Sequence, residues 1–210
     1  MRLRFLPRMA SVFLVMLAKA SVCSEAMAQQ SPAAARAKAE ALNKQAAIEM
    51  REGNYASACP KFAEVVELVP SGIGAKMSLA GCYEQWGRLA SALETYRRTE
   101  QAARNAHDPR ELTAHAQAAA LEAKAATLRV VVPTPVAALP GLEIKRDGEA
   151  LRSDAWNRPL PIDKGTHLLQ GVADGKQVWT RKVEIDYDGF QASITVPMLR
   201  DRDPIKPTGQ

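Results

Sequence analysis

The chain has 210 residues, of which 47% are hydrophobic and 24% charged, the proportions of an ordinary globular protein with room for one or two domains. Its formal charge of +5 comes largely from the first 28 residues, because the remainder holds 24 basic and 22 acidic side chains, a net charge of +2. That near balance provides no electrostatic case for a nucleic-acid partner. Only 5% of residues are aromatic and alanine is abundant between 33 and 126, which favours helices packed through small side chains.

The first 28 residues have the order of a secretory signal peptide. Three arginines among the first eight residues precede an apolar run at 9–18 and a small-x-small motif at 26–28, so we predict cleavage between Ala28 and Gln29. The apolar run is too short to span a bilayer, and no later stretch approaches the roughly 20 residues that a span needs. We therefore expect a periplasmic protein without a transmembrane segment after cleavage. An extracellular or cell-surface location, and lipidation at Cys23, stay open as alternatives.

Residues 39–106 consist of two repeats of 34 residues each, at 39–72 and 73–106. Equivalent residues recur at an offset of 34: Ala46 and Ala80, Gly53 and Gly87, Ala58 and Ala92, Phe62 and Tyr96. Each unit predicts two helices, which we place near 37–52, 55–68, 73–86 and 89–104. The polar lead-in at 29–36 is expected to be flexible. Repetition at this period indicates stacked helical hairpins, since each unit is one supersecondary element.

A fifth helix is predicted at 109–127, where alanine is again dense. Asp108 is a suitable N-cap, and Pro109 follows it at the first helical position. The segment begins where a third repeat would begin but lacks the second half of that repeat, so we interpret it as a capping helix. Two repeats are fewer than the three usually needed for stability, and the cap and the domain after it would supply the missing burial.

The repeat spacing, with small residues where helices cross and aromatic residues between turns, resembles the tetratricopeptide repeat. That resemblance implies a curved slab whose concave face binds peptides or partner proteins. In the register of that family the inward positions of the first helices are Asn43, Ala47 and Met50 in the first repeat, and Met77, Gly81 and Glu84 in the second. These six residues are predicted to contact a protein or peptide partner in the cell envelope.

The repeat register also places two cysteines side by side. Cys59 lies in the second helix of the first repeat and Cys82 in the first helix of the second, at about equal distances from the turn at Pro70. Facing Cα atoms on such neighbouring helices are roughly 4–6 Å apart, within the range that a disulfide accepts. We predict a Cys59–Cys82 disulfide, with two buried free thiols as the alternative.

The hydrophobic period changes at Leu128 from that of helices to alternation. Strands are predicted at 128–132, 142–145, 167–173, 178–185 and 190–198. In the last of them the inward side chains should be Phe190, Ala192, Ile194, Val196 and Met198, whereas the inward face of 167–173 is left open. Asp-Gly pairs at 147–148, 174–175 and 188–189 indicate hairpin turns.

These elements predict an α+β fold with two domains. The tetratricopeptide-like helical domain occupies 37–127 and a small antiparallel β-sandwich occupies 128–199, followed by a disordered tail at 200–210.

The β half also resembles a known family. The stretch 163–167, a strand, and the turn at 173–175 are similar to the PEGA-type extracytoplasmic domain, in which a Pro-x-Gly-x-His turn opens a strand; Asp163 stands where that family has proline. With the signal peptide and the repeats, this combination resembles exported proteins of some Gram-negative bacteria. The resemblance implies that the β half is a spacer or a second contact.

No set of residues with catalytic spacing is found in the sequence. The three histidines lack metal-ligand spacing, and no Ser/His/Asp set has a recognisable nucleophile elbow. His167 is expected to satisfy a turn carbonyl. The function predicted is therefore non-enzymatic, without cofactor or metal, and consists of binding a partner protein or peptide. The alternative is binding of envelope polysaccharide or cell-wall glycan by the β-domain, which would require an exposed Trp156 or Trp179.

Overall fold

The computed structural model describes residues 31–202, which belong to one compact unit. The predicted signal peptide with its cleavage site between Ala28 and Gln29, the cysteine at position 23, and residues 203–210 lie outside the described residues.

Five helices form the N-terminal half, and each packs against the next. They are α1 (Pro32–Arg51), α2 (Tyr55–Leu68), α3 (Ile73–Gln85), α4 (Leu89–Asn105) and α5 (Arg110–Glu122). The lead-in predicted to be flexible at 29–36 is helical from Pro32 onward, because Ser31 accepts the N–H of Ala34 and proline occupies the first helical position. The capping helix ends at Glu122, earlier than predicted.

The turn inside each helical hairpin repeats with the sequence period. Gly53 and Gly87 have φ of 77° and 76°, a left-handed conformation that terminates the preceding helix at low cost only for glycine. Next to the glycines, the N–H of Asn54 reaches the carbonyl of Glu49 at 2.8 Å, and the N–H of Arg88 reaches that of Tyr83 at 2.9 Å. The four alanines at the predicted helix crossings are fully buried: Ala46, Ala58, Ala80 and Ala92. The structure therefore confirms the two predicted hairpins.

The C-terminal half is a two-layer β-sandwich with a short helix inserted after its first strand. Its elements are β1 (Ala126–Val131), α6 (Thr134–Ala137), β2 (Glu143–Arg146), β3 (Glu149–Leu151), β4 (Pro159–Ile162), β5 (Gly165–Val172), β6 (Trp179–Ile185) and β7 (Gln191–Thr195). One sheet has the order β4-β1-β7 and the other β3-β2-β5-β6. All strand pairs are antiparallel except β1–β7, which is parallel. Side chains buried between the sheets include Leu128, Val130, Ile144, Leu169, Val183 and Val196. The predicted α+β architecture of helical repeats followed by a sandwich is thus observed.

The three Asp-Gly pairs form different connections. Asp147 and Gly148 have φ of 53° and 87° and join β2 to β3 as a two-residue hairpin, as predicted. The pair at 174–175 lies within the longer connection 173–178 between β5 and β6. The pair at 188–189 is not a hairpin turn, because it connects β6 to β7 and these strands belong to different sheets.

One strand of the sandwich was not predicted, and two further predictions about the C-terminal half need correction. Strand β4 was not predicted, because two prolines obscure it; prolines are tolerated there because β4 is an edge strand. Met198 is 55% exposed instead of inward, since β7 ends at Thr195 and Pro197 follows. Ordered structure also extends past 199 to Arg202, whose N–H donates to the carbonyl of Gly175 at 2.9 Å. For β5, the inward face that the sequence left open includes Leu169.

Candidate partner-binding groove

A groove with a cavity of about 520 Å³ runs between α1 and α3 on the face of the first helices of the two repeats. Its lining residues are Ala47, Met50, Arg51, Phe62, Met77, Ser78, Gly81 and Gln85. Four of the six residues predicted to contact a partner are among them, contributed by α1 and α3. The structure thus brings the central part of the predicted surface together in one place.

Small and flexible side chains keep this groove open. A Cβ atom built on Gly81 would meet only the hydroxyl of Tyr96, at 3.8 Å, so the helix surface is bare there. Ala47 faces the same cavity from α1. Met50 and Met77 supply long unbranched side chains that can adapt to different ligand shapes. The groove therefore has an apolar and adaptable floor.

Asn43 lies in a second hollow along the same helices. This cavity of about 510 Å³ is lined by Arg36, Ala39, Glu40, Asn43, Val65, Val69, Gly74, Ala75 and Ser78. Ser78 lines both cavities. Because α1 contributes residues from Arg36 to Arg51, the two hollows extend over about 22 Å of that helix.

Glu84 does not line either hollow, in contrast to its predicted position in the groove. Its Oε2 accepts a hydrogen bond from the hydroxyl of Tyr96 at 3.0 Å. Tyr96 is only 5% exposed, and this burial, together with the hydrogen bond to Glu84, raises the pKa of its phenol. Tyr96 is the repeat equivalent of Phe62, and the sequence contained the relevant signal, since a buried tyrosine hydroxyl requires a partner. Glu84 therefore links α3 to α4 within the second repeat.

A disulfide lies behind the groove. Cys59 and Cys82 are fully buried, their sulfurs are 2.11 Å apart and their Cα atoms 5.6 Å apart, so the predicted pairing and spacing are confirmed. The bond joins α2 to α3. Phe62 follows one cysteine by three residues and Gly81 directly precedes the other, so the disulfide fixes the spacing of two residues that line the cavity.

The β-sandwich is attached to the helical half by a side chain that caps a helix. Asp163 Oδ1 accepts the backbone N–H groups of Ala90 and Ser91 at 2.9 and 3.0 Å, and Oδ2 accepts the Ser91 hydroxyl at 2.5 Å. These donors belong to the first turn of α4, which has no capping side chain of its own. Asp163 thus has a structural role in this chain, at the junction of its two halves.

His167 holds the turn that carries this aspartate. Its Nε2 lies 2.9 Å from the backbone oxygen of Asp163, as expected for a histidine that satisfies a turn carbonyl. Its Nδ1 lies 2.7 Å from Asp147 Oδ2, and the N–H of Leu168 donates to the other oxygen of that carboxylate at 2.9 Å. Partial burial alone would raise the pKa of Asp147, but these two hydrogen bonds outweigh it and lower the pKa below its ordinary value.

The three tryptophans are divided between the two halves of the molecule, and each is partly buried. Trp156 is half-buried on the core of the sandwich, and its Nε1 donates to the carbonyl of Leu151 at 3.1 Å. Trp179 is also half-buried against this core. Trp86 lies in the helical half beneath the guanidinium of Arg88, 4.0 Å from the ring centroid. Trp156 and Trp179 are each partly exposed, so neither refutes nor establishes glycan binding by the β-domain, which stays a prediction.

Among residues 31–202, no group of three His, Cys, Asp or Glu side chains is arranged to hold a metal ion. Over the same range, none of the helices combines the length and the apolar character needed to cross a membrane.

No protein-family model matches the chain, and no curated protein matches it significantly. Similar solved structures include the N-terminal domain of stress-induced protein-1 from C. elegans, which is 17% identical, with a TM-score of 0.39, over 42% of this chain and 71% of that one. A tetratricopeptide repeat domain protein from Salinibacter ruber is 24% identical over 40% of this chain. Its solution NMR and crystal structures have TM-scores of 0.37 and 0.36, with 86% and 94% of those chains covered.

The repeated turns and buried alanines define the class of this protein by themselves. It is a helical-repeat protein with tetratricopeptide-like hairpins, joined to a small β-sandwich.

Proposed function

We propose that this protein is a non-enzymatic periplasmic binding protein that holds a peptide or a partner protein in the groove between α1 and α3. The observation that carries the proposal is the open cavity of about 520 Å³ on the face of the first helices, lined by Ala47, Met50, Met77 and Gly81. Helical repeats commonly use such an extended surface for binding. An apolar floor with a few polar groups is the usual character of a ligand site.

The lining suggests what kind of segment would bind. Phe62 and the two methionines form an apolar floor, while Arg51 and Gln85 provide the polar groups. The surface lacks the paired Lys/Asn pattern of repeats that clamp a terminal carboxylate. We therefore expect an internal segment of the partner, with apolar side chains turned toward the methionines.

The envelope location rests on two independent features. The first 28 residues have the pattern of a secretory signal peptide. The Cys59–Cys82 disulfide fits an oxidising compartment, since cytosolic proteins rarely retain such bonds. In this proposal the sandwich is PEGA-like and acts as a spacer or second contact, supported by the contact between His167 and the backbone oxygen of Asp163.

The test is crosslinking followed by pull-down from periplasm, comparing two double variants. Ala47→Arg with Met77→Arg places two cations in the groove, and we expect it to lose the partners that the wild type recovers. The matched control, Ala116→Arg with Leu112→Arg, makes equivalent changes at exposed positions of α5. Recovery of the same partners by the groove variant and the wild type would contradict the proposal. Glu84 is not a suitable target, because its loss would also break the hydrogen bond to Tyr96.

A further inference from the structure

The two sheets of the sandwich differ in size, and this leaves a slot at one edge. The smaller sheet has three strands and ends at β7, whereas the larger has four and ends at β6. A cleft of about 280 Å³ lies between these edge strands, lined by Trp179 and Arg181 from β6 and by Ser193, Ile194, Thr195 and Pro197. The cleft is therefore located where a fourth strand of the smaller sheet would lie.

The backbone of β7 has unused hydrogen-bonding groups on this side. The carbonyl of Phe190 accepts the N–H of Thr127 at 2.7 Å, and the N–H of Val196 donates to the carbonyl of Val131 at 2.8 Å. Because a residue in a strand directs its N–H and C=O to the same side, the even-numbered residues of β7 face β1. The backbone groups of Gln191, Ser193 and Thr195 therefore point to the open edge. Within residues 31–202, β7 is paired with β1 alone.

Strand β7 itself lacks the charges and prolines that commonly prevent strand addition, and the first proline, Pro197, follows two residues after its end. Natural edge strands carry charges, prolines or bulges that block pairing with another chain. The five residues of β7, Gln-Ala-Ser-Ile-Thr, include neither a charge nor a proline. The neighbouring edge strand β6, in contrast, carries Arg181, Lys182 and Glu184. An extended peptide could therefore add to β7 by main-chain hydrogen bonds.

The slot has an apolar floor. Trp179 and Pro197 also line an adjoining hollow of about 330 Å³. Val178 and Met198 border that hollow and are 52% and 55% exposed. An apolar side chain of a bound peptide would cover this surface.

The rim of the slot is cationic. Arg181 follows the inward parity of Trp179 and Val183, so its guanidinium lies at the cleft. It makes no ion pair with any residue that the structure describes. Glu184 has the outward parity of Lys182, on the face opposite Arg181, and accepts the Thr166 hydroxyl there at 2.8 Å. A second copy of the chain pairing through β7 would bring its own Arg181 toward this one, so an acidic peptide fits the slot better.

We propose that the open edge of β7 binds an extended acidic segment of a partner protein as an added strand. An apolar side chain of that segment covers Trp179, and a carboxylate two residues away pairs with Arg181. This site is separate from the groove between α1 and α3 and does not depend on its function.

Amide hydrogen exchange of the exported chain tests the proposal residue by residue. The probe is the acetylated and amidated peptide Thr-Asp-Thr-Val-Thr-Asp-Thr, whose symmetry makes strand direction irrelevant; the matched probe has lysine in place of both aspartates. With the acidic probe we expect exchange at Gln191, Ser193 and Thr195 to slow by about tenfold or more. Ala192 and Ile194, whose amides already face β1, should not change. The lysine probe should have no such effect.

Substitutions that reverse a charge on β6 give a second test and leave the sequence of β7 unchanged. Arg181→Glu should abolish the response to the acidic probe and create one to the lysine probe, whereas Lys182→Glu, on the outer face of β6, should leave the wild-type pattern. Unchanged exchange with the acidic probe, or equal responses to both probes, would overturn the proposal. It would also be overturned if Ser193 were already protected without a peptide, and sedimentation would then distinguish a second copy from a segment of the same chain.

Discussion

Substitution of Asp163 by alanine tests whether a residue of the β-sandwich stabilises the helical half. The carboxylate accepts two backbone N–H groups and one hydroxyl in the first turn of α4. Loss of an N-cap side chain costs about 0.5–2 kcal/mol. Loss of a negative charge at a helix N-terminus adds about 0.3–1 kcal/mol. We therefore expect Asp163→Ala to lower the free energy of unfolding by about 2 kcal/mol.

The location of the cap makes this effect different from that of an ordinary N-cap. Asp163 lies 72 positions after Ser91, so the same side chain also joins the two halves of the molecule. In a Trp86→Phe background, only Trp156 and Trp179 of the sandwich contribute tryptophan signals. Urea unfolding followed by far-ultraviolet circular dichroism for the helices and by near-ultraviolet signals for these two tryptophans should give coincident curves when Asp163 is intact. In Asp163→Ala the helical signal should be lost at lower urea than the signal of the sandwich.

Two variants separate the cap from the general effect of losing an aspartate. Asp163→Asn keeps an acceptor but loses the charge, so its cost should be about half that of the alanine variant. Asp186→Ala removes an exposed aspartate of the same sandwich and should have little effect. If Asp163→Ala were no more destabilising than Asp186→Ala, the capping contact would not contribute to stability and the reasoning would be refuted.

Three further predictions concern the helical half. Replacing Cys59 and Cys82 by serine should cost about 3 kcal/mol in urea unfolding, and alkylation of the unreduced wild type should detect neither thiol by mass spectrometry. Burial raises the pKa of Tyr96, so its stabilising contribution is complete below a pH of about 10 and is lost as the pH rises further; Tyr96→Phe should flatten the alkaline end of a stability–pH curve. Hydrogen bonds from Arg110 lower the pKa of Asp108 to about 2, so its contribution is present above a pH of about 4 and is lost as the pH falls toward 2. Asp108→Asn should remove that acid dependence, and an unchanged curve would contradict the assignment.

Much of the helical half was predictable from the sequence, because its determinants are local. The left-handed turns at Gly53 and Gly87 lie 34 residues apart, and the alanines at the helix crossings repeat with the same offset. Once these positions established the repeat register, helix geometry was enough to place Cys59 beside Cys82. The same register placed Ala47 and three other predicted residues around one cavity.

The part that could not be predicted depends on contacts between distant segments. Pairing of β1 with β7 joins Thr127 to Gln191 in a parallel arrangement, and no turn in the sequence encodes that register. Strand β4 contains two prolines, which disfavour a central strand, and only its position at a sheet edge makes them acceptable. The repeat register predicted that Glu84 lines the groove, but its carboxylate instead accepts a hydrogen bond from the hydroxyl of Tyr96.

The junction between the halves shows most clearly what the sequence by itself could not determine. Local pattern placed Asp163 in a turn and His167 at the start of a strand, and the resemblance to the PEGA-type turn implied the contact between the imidazole and the turn carbonyl. Which helix the Asp163 carboxylate caps depends on the packing of the sandwich against α4. Periodicity in the sequence determines which face of a helix or strand is apolar. A helix cap supplied by a residue 72 positions away depends on how the folded elements pack together, and that packing is a property of the tertiary structure alone.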